Sequence, residues 1–248
     1  MFGESVRGWS LRLYPEAGEA GGAWSSGPAS AGFVRDLDEG PAEPDVGRSE
    51  VEAARRARGK LRRYCAANGL NRLGTLTYSG AGNHDPRQLR ADLAGFFRRL
   101  RADVGDRSFP YVWVPEWHKT DHGLHAHFAV GDFVHRRRIE AAWGRGFVHI
   151  KLIGDLPVGS GRFEEARKAA GYLAKYVGKA FDERRVQGLH RYEVAEGFQP
   201  ASVMLRDRTR AGVLDLASEH MGRRPTYVWV SSDVADWMAP PAVWASWD

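Results

Sequence analysis

Residues 111–130 read YVWVPEWHKTDHGLHAHFAV, two apolar runs joined by a polar segment centred on His118 to Gly123. In the second run Leu124, Ala126, Phe128 and Val130 alternate with Gly123, His125, His127 and Ala129, the period of two expected of a strand. His125 and His127 therefore share a face. In the first run Val112, Val114 and Glu116 share one as well, so an antiparallel return sets the Glu116 carboxylate beside both imidazoles. Upstream, Leu89, Leu93, Phe96, Phe97, Leu100 and Val104 recur at helical spacing behind Asp85-Pro86, a helix start. An earlier helix is predicted from the capping-box pair Ser49 and Glu52 to a stop at Gly69, followed by a strand from Leu73 to Tyr78. After the histidine run come a short helix from Arg136 to Trp143, a strand from Phe147 to Leu152 and a helix beginning near Arg162. This order predicts an α+β domain, an antiparallel sheet with helices packed on one face.

The last of these helices contains Gly-Tyr-Leu-Ala-Lys-Tyr-Val-Gly-Lys, residues 171–179. At about 100° per residue, Tyr172, Lys175, Tyr176 and Lys179 fall within a stripe about 100° wide. Ala166, Ala170, Leu173 and Val177 form the opposite, apolar side. Lysine is scarce, six residues against thirty arginines, and three of the six are Lys168, Lys175 and Lys179. Two phenols and two compact cations on one face suit attack on, and neutralisation of, a phosphodiester.

Two imidazoles and a carboxylate on adjacent strands make a three-ligand site with open positions for a divalent metal. Such a donor set accepts several first-row ions. Read from residues alone, three classes stay open: a tyrosine-dependent nuclease, a metal hydrolase or oxygenase using the His₂-carboxylate set, and a non-catalytic nucleic-acid-binding module.

Taken together, His125-Ala126-His127, Glu116, the Tyr172–Lys179 motif and the strand Thr75-Leu76-Thr77-Tyr78 resemble the rolling-circle replication initiators of the HUH endonuclease superfamily, of the plasmid and phage type with two motif tyrosines. Ala126 is smaller than the hydrophobe usual between the two histidines. The resemblance spans roughly residues 70 to 180. It implies a ferredoxin-like, RRM-like nicking domain in which Tyr172 and Tyr176, assisted by Lys175 and Lys179, form a phosphotyrosine. Glu116, His125 and His127 are implied as ligands of Mn²⁺ or Mg²⁺. The implied partners are single-stranded DNA, origin DNA and a separate helicase, and a transposase or relaxase would use the same chemistry.

Charge agrees with a nucleic-acid partner: the chain is +5 at pH 7 with a pI near 9.5. Arg55, Arg56, Arg58, Lys60, Arg62 and Arg63 crowd one helix, and Arg136, Arg137 and Arg138 follow the histidine strand. These three arginines, Thr77 and His122 are candidate DNA contacts. The loop from Pro157 to Arg162 lacks the ending of a phosphate-binding P-loop and reads as a hinge. A single cysteine, Cys65, excludes an internal disulfide. No signal peptide or spanning apolar run is evident, so a cytoplasmic protein without a membrane partner is expected. Residues 1–48, rich in glycine and proline, read as a loose arm in which Trp9 to Tyr14 offer one short strand. Residues 49–195 read as the nicking domain. Residues 196–248 read as a C-terminal extension of it, with a strand from Tyr227 to Ser231 and tryptophans 237, 244 and 247 assigned either to core or to an interaction patch.

Overall fold

The computed structural model describes residues 7–26, 46–151, 162–179 and 186–247. Its elements run β1 (Gly8–Tyr14), β2 (Glu19–Ser25), α1 (Val46–Asn68), β3 (Arg72–Tyr78), α2 (Pro86–Asp103), β4 (Tyr111–Trp117), β5 (Leu124–Val130), α3 (Arg136–Trp143), β6 (Gly146–Lys151), α4 (Arg162–Lys179), β7 (Glu193–Val194), β8 (Val203–Asp207), α5 (Arg210–Met221), β9 (Tyr227–Val230) and β10 (Ala242–Ser246). The protein is α+β with two antiparallel five-stranded sheets. The chain divides into two units, one of residues 46–199 and one joining residues 1–45 to 200–248.

In the unit of residues 46–199 the strand order is β6-β3-β5-β4-β7. The helix boundaries follow their local signals. Asp85 caps α2 by accepting a 2.8 Å bond from the Arg87 N–H, and Pro86 occupies the first turn, where its missing donor costs nothing. Gly69, at φ 60°, ends α1, with the Leu70 N–H returning to the Cys65 carbonyl at 2.9 Å.

The expectation that helices cover one face of this sheet is corrected. Leu89, Leu93, Phe96 and Leu100 of α2 and Trp143 of α3 pack with Leu76, Trp113, Ala126 and Phe128. Leu61, Tyr64 and Cys65 of α1 and Ala169, Ala170 and Leu173 of α4 pack with Leu73, Val112, Val114 and Ala129 on the other side. Both parities of β4 and β5 carry apolar side chains, and every residue of β5 is buried, so the sheet needs cover on both faces. The histidines had made one face read as polar.

The reading of residues 1–48 as a loose arm is likewise corrected for the described part. Residues 8–25 form a hairpin, β1 with β2, in full register from Gly8↔Ser25 to Tyr14↔Glu19. β8 and β10 pair with its two edges, giving the order β8-β1-β2-β10-β9. The glycines taken as loop markers mark a close approach instead: a Cβ on Gly22 would lie 1.9 Å from the Ser10 carbonyl oxygen. Residues 203–247 supply the rest of this second sheet and α5, which Thr209 caps through the Gly212 N–H at 2.9 Å. Residues 27–45 and the expected hinge at 157–161 lie outside the described residues. Among the described residues no helix is long and apolar enough to cross a membrane.

Candidate metal centre and tyrosine helix

β5 is the middle strand of its sheet, and the pairings Glu116↔His125 and Thr77↔His125 align its neighbours on it. The period-two alternation sends His125, His127, Glu116, Thr75 and Thr77 toward the α1/α4 face. There Glu116 Oε2 lies 3.0 Å from His125 Nε2 and 2.8 Å from His127 Nε2, and the two Nε2 atoms are 3.1 Å apart. The imidazole side chains are 10% and 7% exposed. Burial opposes ionisation of Glu116, but hydrogen bonds and charge from His125 and His127 outweigh it and hold the carboxyl well below the usual carboxylate range.

These three residues form a group suited to hold a metal ion. The fit is geometric. Bonds of about 2.1 Å at right angles place neighbouring ligand atoms roughly 3.0 Å apart, so three donors at 2.8 to 3.1 Å describe one face of a coordination shell. His127 is also oriented from behind, because Thr75 Oγ1 lies 3.0 Å from its Nδ1. That contact leaves Nε2 with the lone pair when Nδ1 carries the proton. The Nδ1 of His125 is buried without a hydrogen-bond partner, so packing alone sets that ring.

α4 carries Tyr172 to this group. Its ring centroid is 6.3 Å from that of His127, nearly perpendicular, and the Lys151 ammonium sits 4.2 Å over the phenol ring. The apolar side of α4 is buried through Ala166, Ala169, Ala170 and Leu173, which turns position 172 to the histidines. Lys175, Tyr176 and Lys179 lie on the same helix, with side chains outside the described set. Burial pushes up the phenols of Tyr64, Tyr78, Tyr111 and Tyr192, which makes each a poor nucleophile.

The remaining candidates separate clearly. Thr77 lies across from His125 on the metal-binding face. His122 is held by its Nε2 at 2.8 Å from the Tyr78 carbonyl, a loop anchor. Arg136, Arg137 and Arg138 are exposed on α3, which packs against the opposite face of the sheet from the histidines, and Arg136 and Arg138 pair with Glu140 and Asp103. Nearness in sequence does not carry them to the metal group. Conversely, Thr75 and Lys151 were not singled out from the sequence. The alternation of β3 could have revealed Thr75, which shares its parity with Thr77, whereas nothing local marks Lys151. Phe147, 69% exposed, and His149 share its edge strand and its face.

Residues 71–181 match the family of the replication-associated protein ORF2. The match supports a replication initiator. It runs from β3 through α4 and so contains Thr75, Glu116, His125, His127, Lys151 and Tyr172, while the hairpin β1–β2 and residues 200–248 lie outside the matched segment. No curated protein and no solved structure matches the chain.

Proposed function

We propose that this protein nicks and rejoins single-stranded DNA through a phosphotyrosine, initiating rolling-circle replication of a plasmid, phage or integrative element. The observation that carries the reading is the placement of Tyr172 beside His127, with its ring under the Lys151 ammonium, at a converging His₂-carboxylate group. Glu116, His125 and His127 would hold a divalent ion, Mn²⁺ or Mg²⁺ by its preference for phosphate oxygens, and the ion supplies charge stabilisation at the scissile phosphate.

The protein's own groups do the rest. Thr75 fixes the ring of His127. The Tyr172 oxygen forms a bond to phosphorus as the bond to the 3′-oxygen breaks, leaving a 5′-phosphotyrosine. The phenolic proton goes to solvent or a nearby base, and the departing 3′-oxygen takes up a proton to become a hydroxyl. Lys151, and from the helical stripe Lys175 and Lys179, place positive charge around the phenolate and phosphate. The exposed ring of Phe147 offers a stacking surface for a neighbouring base. Because the phosphotyrosine retains the diester linkage, a 3′-hydroxyl can attack it and rejoin the strand without a nucleotide cofactor. Tyr176 would serve the second transfer. The family match favours replication over transposition or conjugative relaxation, which share this chemistry.

The test is a denaturing gel with labelled origin oligonucleotide and Mn²⁺. A slow-migrating covalent adduct is expected, strongly reduced in Tyr172→Phe and absent in Tyr172→Phe/Tyr176→Phe or with chelator. Cleavage that persists in the double variant refutes the mechanism.

A further inference from the structure

One face of the β1–β2–β8–β9–β10 sheet is covered by α5: Leu11, Leu13, Ala20, Val243, Ala245 and Trp247 are buried with Val213 and Ala217. Since facing residues on paired strands share a side, the pairings put the alternate positions on the other face. This face has three zones. On β9 and β10 stand Tyr227, Trp229 and Trp244. Tyr227 and Trp244 lie 5.9 Å apart between ring centroids, and Trp237 packs 5.3 Å from Trp229. On β2 stand Gly21 and Ala23, and Trp244 leans over the bare backbone of Gly21. On β1 and β8 stand Arg12 and Arg206, both exposed and on diagonally related positions, about 7 to 8 Å apart at the backbone.

An aromatic wall and a basic wall thus flank a floor of small residues, with β10 and β1 two strand spacings, about 10 Å, apart. Tyr227 is 54% exposed and the neighbouring Met204 44% exposed, surface that the sheet's own core does not require. The acidic residue on this face, Glu19, is 1% exposed and presents little charge to it. The occupant that matches is a single nucleic-acid strand, whose bases stack on indole and phenol rings while its phosphates meet guanidinium groups. A duplex hides its base faces and has no use for the aromatic wall. We infer that this sheet face is a second single-stranded DNA binding site, with Tyr227 and Trp229 as stacking residues and Arg12 and Arg206 as phosphate contacts.

The site is separate from the nicking chemistry, so the test removes that chemistry. Binding of the full-length protein to a fluorescent oligo(dT) is measured by anisotropy in chelator, for wild type, Trp229→Ala, Trp229→Phe, Tyr227→Ala/Trp229→Ala and Arg12→Ala/Arg206→Ala. Adduct formation on a short origin oligonucleotide with Mn²⁺ is followed in parallel. The expected result is weakening by roughly fivefold or more per aromatic removed, with Trp229→Phe close to wild type. The arginine pair should weaken binding and flatten its salt dependence. Adduct formation on the short oligonucleotide should be kept, which also shows that the variants fold. Oligo(dT) affinity unchanged in both double variants, or a wild type that prefers duplex DNA, overturns the assignment. Loss of the adduct in Tyr172→Phe bears only on the nicking reading.

Discussion

Removing one hydroxyl behind the metal group tests the geometry most directly. Thr75 Oγ1 lies 3.0 Å from His127 Nδ1, and the His127 side chain is 7% exposed, so water cannot readily replace the contact. Thr75→Val keeps the shape and the β-branch, and hence the strand, but leaves the His127 Nδ1–H buried without a partner. Such a loss costs about 1–3 kcal/mol, and removing a partner behind a metal-bound histidine typically weakens the metal about 10–100-fold. The two figures agree, since 1.4 kcal/mol corresponds to a factor of about ten. Calorimetric titration of the full-length protein with Mn²⁺ should therefore show dissociation constants about 10–100-fold higher for Thr75→Val. Thr75→Ser, which keeps the hydroxyl, should stay close to wild type, and thermal melts of the metal-free proteins should nearly coincide. A Thr75→Val protein that binds Mn²⁺ within twofold of wild type would show that Thr75 does not orient the ligand.

Lys151→Met removes the cation 4.2 Å over the Tyr172 ring and should slow adduct formation roughly three- to tenfold in single-turnover assays, while Lys151→Arg retains most of the rate; equal loss in both variants would count against a charge effect. Gly74→Ala would place a Cβ 2.3 Å from the Phe128 ring, which Phe96 and Phe97 confine, so overpacking should destabilise the protein by about 1–3 kcal/mol in urea unfolding; an unchanged midpoint would mean that the ring moves aside freely.

Much of the functional unit was legible because it rests on local signals. The period-two pattern of residues 124–130, the cap at Asp85-Pro86 and the glycine stop at Gly69 each act over a few residues, and β5, α2 and the end of α1 lie where those signals put them. The convergence of Glu116 with His125 and His127 was readable for the same reason, since a short antiparallel return leaves little freedom in register. The N-terminal hairpin was not legible. Its partners are β8 and β10, which lie at the far end of the chain, and glycines that serve a tight backbone approach look locally like those of a loop. The arginines of α3 were misplaced by the same kind of reasoning: closeness along the chain says nothing about which face of a sheet a helix covers.

Residue order alone dictated the parity of each metal strand, the apolar side of α2 and α4, and the chemical types available at the metal group. Long-range packing settled that α1 and α4 roof the histidine face, that Tyr172 stands beside His127 under Lys151, and that Trp247 is core while Trp244 lies on the opposite side of its sheet. The division is physical. Steric and hydrogen-bonding preferences act between neighbours along the chain, whereas the choice of which surfaces meet depends on burying apolar area contributed by distant segments.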